Sequence, residues 1–325
     1  MEKKIVTAGD RVYMKFFDLE FFHERAKEAG ARIHPFRSFD DAKFTAEITD
    51  ADALILIDRP LSKAHIEAMN NCRIVLALEV GYDFIDVGAC TEKGIVVCNV
   101  PAYCTGEVSL HAFTLLLAVH RKLNLLMEGT AGAGWDYNLC KPLHYPEGKK
   151  IGIVGLGKIG RQMVPKALAF GMEPIAYDPY LTDDIFDLLG VRRCYELDDL
   201  LCEADYVTLH VPLTEETRHM IGSRELGLMK PHAVIINTCR GKVVEEKSLY
   251  NALKKSIIAG AGLDVLETEP PDKENPLLNC PACIVTPHIA WYSEQSMERL
   301  RVQGMDEVVR VLNGRGSRGK RPQRS

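Results

Sequence analysis

Residues 149–178 constrain the fold of this chain more than any other stretch. They begin with two lysines and an apolar run typical of a buried strand, which leads into Gly155, Gly157 and Gly160 with the spacing G-x-G-x-x-G. A helical pattern and a second apolar run follow, and the second run ends at Asp178. This order of strand, glycines, helix, strand and acid predicts a β-α-β unit whose first turn is adapted to a dinucleotide.

Each glycine of this motif has a physical task. The first allows a sharp turn out of the strand, the second lets backbone N–H groups approach a pyrophosphate, and the third lets helix and strand pack closely. Asp178 lies 18 residues after Gly160, where a carboxylate can accept hydrogen bonds from ribose hydroxyls. Pro179 and Tyr180 follow, with no arginine for a 2′-phosphate, so the sequence favours NAD over NADP.

Composition narrows the class of protein. The 325 residues suggest about two domains, and 46% hydrophobic residues can fill their cores. A net charge of −5 gives no reason to expect nucleic acid as a partner. The N-terminus lacks the apolar run of a signal peptide, and no run approaches the ~20 apolar residues of a membrane span. Ten cysteines then indicate reduced thiols and a cytoplasmic protein.

The chain before the glycine motif predicts another α/β unit, without a nucleotide motif. Short apolar strands are expected at 4–8, 31–36, 53–57, 73–78 and 95–98. Helical patterns lie between them, for example Ser62 to Met69 with Ser62 as the N-cap. Strands that alternate with helices indicate parallel sheets. Residues 106–127, apolar on most faces, predict one helix buried all round, and 129–148 a loop or arm.

The chain after the motif continues the same alternation. Strands are expected near 205–210, 233–237, 258–263 and 283–286. Helices are expected at 245–255 and, after Ala290, at about 293–312. Residues 313–325 are basic and nearly devoid of apolar side chains, which predicts a disordered tail or, alternatively, a segment that binds an anionic partner.

Three side chains at the ends of late strands could carry chemistry, because ligands bind at the carboxyl edge of open parallel sheets. Arg240 offers a fork for a carboxylate and a donor for a keto oxygen. His288 has an ordinary pKa suited to proton exchange near neutrality, and Glu269 could orient its ring and raise its pKa. This arrangement suits reduction, in which the histidine donates a proton as a carbonyl becomes an alcohol.

Seven motifs are spread along the chain: VGYDFIDVGACTEKGIVVCNVPAY (80–103), GLGKIG (155–160), YDPY (177–180), HVPLTEETRHMI (210–221), NTCRG (237–241), LDVLETEP (263–270) and TPHIAWYSEQ (286–295). Together they resemble the NAD-dependent D-isomer-specific 2-hydroxyacid dehydrogenases. The resemblance covers the chain to about residue 314, and the ending HIAWYSEQ is most similar to the branch of the C-terminal binding proteins.

The resemblance implies two Rossmann-like α/β domains with parallel sheets. Residues 1–101 and 293–325 would form a substrate domain, and 102–292 an NAD-binding domain inserted into it. The implied reaction is reversible reduction of a 2-oxo acid to a D-2-hydroxy acid by NADH, with Arg240, Glu269 and His288 as catalytic residues. Helix 106–127 and the arm would form a homodimer interface.

The resemblance also assigns binding residues. NAD would contact Gly155, Gly157, Lys158, Ile159, Gly160, Asp178, His210, Pro212, Thr217, Thr238, Cys239 and Asp264, with Asp264 on the nicotinamide carboxamide. Substrate would contact Val80, Gly81, Tyr103, Arg240 and Trp291. Glu79 is an unexpected neighbour for an anionic substrate unless its side chain turns away. Tyr103 and Trp291 favour an apolar or aromatic R group over a phosphate.

Alternatives remain at this point. The same scaffold serves phosphoglycerate, glyoxylate and hydroxypyruvate dehydrogenases, and it also serves NAD-sensing corepressors, which keep the catalytic triad of side chains. No metal site is expected, since Cys280 and Cys283 form a single C-x-x-C without a second pair. Cys239, beside Arg240, is a candidate thiol whose alkylation would block cofactor binding.

Overall fold

The structure, a computed structural model, describes residues 2–9, 18–132 and 134–314. The chain forms two compact units, Met1–Tyr103 with Ser293–Ser325, and Cys104–Tyr292. The unit that carries the glycine motif therefore interrupts the other in sequence. The predictions for the basic tail were made for residues 313–325, of which 315–325 lie outside the described part.

The unit built from the two chain ends is a parallel α/β sheet. Its strands are β1 (Lys3–Gly9), β2 (Ala31–Phe36), β3 (Ala53–Ile57), β4 (Ile74–Ala77) and β5 (Val96–Asn99), in the order β2-β1-β3-β4-β5. Its helices are α1 (Leu19–Lys27), α2 (Asp41–Ile48), α3 (Lys63–Ala68), α4 (Val87–Glu92) and α12 (Glu294–Leu312). Strands β3 and β4 are almost wholly buried, which agrees with their continuous apolar sequences.

Helix α12 is anchored in the first unit by two local features. A Cβ on Gly304 would lie 2.4 Å from Leu78 Cδ1, so the glycine lets the middle of the helix pack closely on the side chains of the sheet. At the C-terminal end of the helix, the Arg73 guanidinium donates to the carbonyls of Leu312 and Val311 at 2.9 and 2.8 Å. The Val311 carbonyl also accepts from the Gly314 N–H, and the bond to Leu312 pairs a carbonyl at the very end of the helix.

The second unit has a longer parallel sheet. Its strands are β6 (Lys150–Val154), β7 (Glu173–Tyr177), β8 (Arg192–Arg193), β9 (Tyr206–Leu209), β10 (Val234–Asn237), β11 (Gly260–Leu263) and β12 (Cys283–Val285), in the order β12-β11-β10-β9-β6-β7-β8. Its α-helices are α5 (Thr105–His120), α6 (Leu123–Ala131), α7 (Lys158–Ala169), α8 (Asp183–Leu189), α9 (Leu197–Glu203), α10 (Ser223–Leu228) and α11 (Glu246–Lys254). Short 3-10 helices span Tyr137–Cys140, Gly241–Val243 and Pro276–Asn279.

The strand order reverses next to β6, because β7 and β9 pair on its two sides. The glycine motif follows β6 directly, so it lies at the switch point where open α/β sheets bind ligands. Helix α5 packs on the other half of the sheet, where Gly260 and Gly262 of β11 leave room for Val119 and Leu115.

The prediction of one buried helix over 106–127 was wrong. Helix α5 ends at His120, Lys122 adopts a left-handed backbone (φ 51°), and α6 begins at Leu123. Only α5 is buried along one face, whereas no residue of α6 is buried. An apolar sequence predicted burial, but it did not reveal the turn, because neither glycine nor proline marks it.

Candidate active site and dinucleotide site

The glycine turn has the geometry of a dinucleotide cradle. Gly155 has a φ of 87°, and a Cβ there would lie 2.6 Å from the carbonyl oxygen of His210. A Cβ on Gly160 would lie 2.1 Å from the Gly155 carbonyl oxygen. By contrast, a Cβ on Gly157 would meet nothing within 4 Å, so the space beside it is open. Two glycines therefore serve packing, and the middle one faces space that a ligand can enter.

Helix α7 adds an anion-binding end to this cradle. Gly157 is its N-cap, and Lys158 and Ile159 are its first two residues. The N–H groups of a first helical turn have no partner within the helix, and the helix dipole is positive there. The turn is thus suited to a pyrophosphate.

Asp178 is fixed at the carboxyl end of β7. Its Oδ2 accepts from the Leu156 N–H at 2.9 Å, and its Oδ1 accepts from the Tyr180 N–H at 3.0 Å. Each carboxylate oxygen retains a lone pair for a further donor. The acid is therefore held against the glycine turn in a position suited to ribose hydroxyls.

Two buried polar atoms near this edge have no hydrogen-bond partner among the residues that the structure describes. They are Nδ1 of His210, after β9, and Oγ1 of Thr238, after β10. Burial lowers the pKa of His210 to about 3, so its ring is neutral, and Nε2 faces the Thr208 hydroxyl at 2.9 Å. Unpaired buried polar atoms are costly. Both residues were predicted to contact NAD, and these atoms fit a ligand that supplies the missing hydrogen bonds.

Thr217 and Pro212 shape the neighbouring loop. The Thr217 hydroxyl donates to the Pro212 carbonyl at 2.6 Å and accepts from the Thr214 N–H at 2.8 Å. The hydroxyl thus closes the loop after β9 upon itself.

His288 and Glu269 form the centre of the candidate active site. His288 Nδ1 lies 2.6 Å from Glu269 Oε2, and Glu269 Oε1 accepts from the Leu266 N–H at 2.9 Å. Burial alone lowers the pKa of His288, but the hydrogen bond to Glu269 and its charge outweigh burial and raise it. Burial raises the pKa of Glu269, and the bond to His288 outweighs this and lowers it. The pair therefore favours an imidazolium beside a carboxylate.

Arg240 lies near this pair. Its positive charge opposes the rise in the pKa of His288 and adds to the fall in the pKa of Glu269. Asn237, the last residue of β10, fixes the loop: its Oδ1 accepts from the Cys239 N–H at 3.0 Å, and its Nδ2 donates to the Arg240 carbonyl at 2.9 Å. The Cys239 sulfur also donates to Asn237 Oδ1, and burial raises the pKa of this thiol.

Asp264 holds the segment that presents His288. This buried carboxylate accepts from the N–H groups of Ile289 and Ala290 at 3.0 and 2.8 Å, and from the Thr286 hydroxyl. The His288 N–H donates to the Asp264 carbonyl at 2.9 Å. The nicotinamide contact of Asp264 stays a prediction, and the structure shows that its oxygens support the turn at His288, the candidate catalytic histidine.

Trp291 supports the same turn. Its indole N–H donates to the His288 carbonyl at 2.7 Å. The indole thus has a structural bond next to the histidine, in addition to the substrate contact that the sequence predicted.

The predicted substrate residues of the other unit follow β4 and β5. Asn99 donates to the Val80 carbonyl at 2.7 Å, next to Gly81. Glu79 turns toward a neighbouring loop, where its carboxylate accepts from the Asp58 N–H at 2.8 Å. Tyr103 is buried, with 4% of its surface exposed, and its carbonyl accepts from Arg299.

Sequence reasoning missed three residues that organise this site. Asn237 and Thr286 lie inside motifs that were noted, but their roles depend on contacts. His111, on α5, lies 2.9 Å from the Thr286 hydroxyl and 3.5 Å from Asp264 Oδ1. It is 175 residues from Thr286 in sequence, so no local pattern could have found it.

In the described part of the chain, no three side chains of His, Cys, Asp or Glu are grouped so that they could hold a metal ion. None of the helices in that part has both the length and the apolar character for crossing a membrane.

The fold and the site define a class, the dinucleotide-dependent oxidoreductases, and comparison with known proteins identifies the family. Residues 113–290 match the model of the D-isomer specific 2-hydroxyacid dehydrogenase NAD binding domain. The chain is 39% identical over 269 residues to D-3-phosphoglycerate dehydrogenase of Methanocaldococcus jannaschii. That match covers 82% of this chain but only 51% of the relative, so the chain spans about half of that protein's length.

Two further proteins match over most of their length. Glyoxylate reductase of Korarchaeum cryptofilum is 40% identical over 273 residues, which cover 82% of this chain and 81% of that protein. The solved structure of D-lactate dehydrogenase from Aquifex aeolicus with NAD and lactic acid has a TM-score of 0.83 and 30% identity, over 96% of both chains.

The chain therefore belongs to the D-isomer-specific 2-hydroxyacid dehydrogenase family. The predictions of the family, of two Rossmann-like domains with parallel sheets, of an NAD-dependent dehydrogenase and of NAD as cofactor are confirmed. The assignment to the branch of the C-terminal binding proteins stays a prediction.

Proposed function

We propose that this protein reversibly reduces a 2-oxo acid to a D-2-hydroxy acid. Bound NADH supplies the hydride. Arg240 binds and polarises the substrate, and His288 donates a proton to the keto oxygen as it becomes a hydroxyl. Glu269 keeps that histidine protonated. The contact between His288 Nδ1 and Glu269 Oε2 at 2.6 Å, beside Arg240, is the observation that supports this proposal best.

The binding residues follow from the same proposal. The backbone N–H groups of Val80 and Gly81 would hold the substrate carboxylate, and the turned-away Glu79 no longer opposes an anion there. NAD would lie along the glycine turn, with Asp178 on its ribose. Cys239 would border the cofactor, so NADH should protect it from alkylation.

A 2-oxo acid with a short R group is a second candidate substrate, beside the apolar or aromatic R group that the sequence favoured. The buried Tyr103 offers little surface to a large R group, which weakens the prediction of an aromatic substrate. The relative from Korarchaeum cryptofilum is named for glyoxylate, and the one from Methanocaldococcus jannaschii for 3-phosphoglycerate. We place glyoxylate and hydroxypyruvate first in a substrate panel.

One experiment tests the activity. Calorimetry would measure NADH binding, and NADH absorbance would then be followed with glyoxylate, hydroxypyruvate, pyruvate, phenylpyruvate and 3-phosphohydroxypyruvate. Oxidation of NADH by at least one of them supports the proposal. Binding of NADH without oxidation by any would favour the alternative of an NAD-sensing interaction protein.

We also propose that the protein forms a homodimer through α5, α6 and the arm that follows. Large apolar side chains of this region are exposed: Leu110, Leu123, Met127, Trp135, Tyr137, Leu139 and Tyr145. Such a concentration is unusual on a monomer surface and fits a second copy of the chain. Sedimentation of the wild type and of Trp135→Glu tests this, with Tyr195→Glu, another exposed aromatic position, as the control.

We also propose that the protein is located in the cytoplasm. All ten cysteines are free thiols, as is typical of proteins in a reducing compartment. Cell fractionation followed by detection of the protein tests it.

A further inference from the structure

Tyr180 connects two carboxylates at the end of β7. Its N–H donates to Asp178 Oδ1 at 3.0 Å, and its phenol donates to the carboxylate of Glu216, in the loop after β9. The Tyr180 side chain is 78% exposed, so packing does not hold it in place. The bond to Glu216 raises the pKa of the phenol. Tyr180 therefore bridges Asp178, the acid proposed to bind the ribose, and Glu216, and so holds the Glu216 carboxylate close to the ribose site.

The same edge of the sheet carries an excess of negative charge. Burial raises the pKa of Tyr177, and the charges of Glu196, Asp178 and Glu216 raise it further. Nearby arginines have other partners, since Arg193 pairs with Asp183 at 2.7 Å and Arg161 donates to the Leu156 carbonyl at 3.0 Å.

We propose that Glu216, held by Tyr180, is a second determinant of the preference for NAD over NADP. It would repel the 2′-phosphate of NADP from the loop opposite Asp178, because like charges at close range disfavour binding. Replacement of Asp178 alone would then leave much of the discrimination in place. This inference rests on the proposed function, since it concerns the same dinucleotide site.

Matched variants separate this effect from general surface charge. Glu216→Gln removes the carboxylate that contacts Tyr180. Glu215→Gln removes the same charge from the adjacent residue, whose side chain is 94% exposed and lies 4.0 Å from Arg218. Tyr180→Phe keeps the ring and releases Glu216. The measured quantities are the Kd values of NADH and NADPH, from nicotinamide fluorescence, in each variant and in Asp178→Ser with and without Glu216→Gln.

We expect Glu216→Gln to strengthen NADPH binding about fivefold to tenfold and to change the Kd of NADH less than about twofold. Tyr180→Phe should give a smaller gain for NADPH, and the Asp178→Ser and Glu216→Gln pair a larger gain than Asp178→Ser alone. Equal NADPH affinities in Glu216→Gln and Glu215→Gln would overturn the inference. That failure differs from failure of the proposed function, in which the wild type would not bind NADH.

Discussion

His288 Nδ1 lies 2.6 Å from Glu269 Oε2, and this contact raises the pKa of the histidine while it lowers the pKa of the glutamate. His288 therefore stays protonated to higher pH than an isolated histidine, which is what the proposed role as proton donor requires. The consequences of this contact, and of the residues that support it, can be measured.

The pH dependence of reduction should change in Glu269→Gln. Because Glu269 raises the pKa of His288, the wild type loses its protonated donor only as the pH rises through that raised pKa. Without the carboxylate, the alkaline limb of kcat/KM should move to lower pH, and the rate above it should fall by about 10²-fold. The pH profile of 2-oxo acid reduction measures this. Glu274→Gln, a change at an exposed position of the same loop, should keep the wild-type pH profile. If the alkaline limb of kcat/KM did not move in Glu269→Gln, Glu269 would not be what raises the pKa of the proton donor.

Arg240→Lys should lose the planar fork but keep the positive charge. We expect kcat/KM for the 2-oxo acid to fall about 10²-fold, because a lysine cannot bind a carboxylate and a keto oxygen in the same geometry. NADH affinity should change less than about twofold. Steady-state kinetics and fluorescence titration measure both, with the exposed Arg218→Lys as control. Unchanged kcat/KM would exclude Arg240 from substrate binding.

The glycine turn offers a direct contrast between packing and binding. Gly157→Ala adds a methyl group that meets no atom of the protein, so Tm should be retained while the Kd of NADH rises about tenfold or more. Gly160→Ala would place its Cβ 2.1 Å from the Gly155 carbonyl oxygen and should destabilise the unit. Thermal unfolding and NADH titration distinguish the two. Gly227→Ala is the control, because a Cβ there also meets nothing within 4 Å. Normal NADH affinity in Gly157→Ala would contradict the proposed position of the pyrophosphate.

Asp264→Asn tests the support of the catalytic turn. Asp264 now accepts hydrogen bonds from the backbone N–H groups of Ile289 and Ala290. An asparagine would point its NH₂ group at one of these N–H donors, which would leave a buried donor unpaired at a cost of about 1–3 kcal/mol. Urea unfolding should show this loss, and kcat should fall with it. The exposed Asp187→Asn should be nearly neutral, and equal stability of the two variants would show that the bonds to Ile289 and Ala290 contribute little.

Local patterns predicted much of the fold. The strand at 53–57 and the helix over 293–312 were predictable, because a continuous apolar run and an amphipathic period each lie within one segment. The break at Lys122 was not predictable, because a left-handed lysine carries no local signal. The two-residue strand β8 is too short for any periodicity.

The candidate site was predictable in its residue types more than in its connections. Arg240, Glu269 and His288 follow strand-like runs, and parallel strands bring such ends to one edge. The bond from His111 to Thr286 and the bond from Tyr180 to Glu216 join distant segments, so they required the tertiary structure. The second role of Asp264, as the acceptor for the turn at His288, was also hidden from sequence.

The central claim is that His288 supplies the proton for a reduction at a bound dinucleotide, and His288→Asn tests it most directly. NADH affinity from titration and the rate of NADH oxidation by the best 2-oxo acid should be measured together in this variant and in the wild type. We predict an NADH Kd within about twofold of wild type and a rate reduced by at least about 10²-fold. A rate close to that of the wild type would contradict the account.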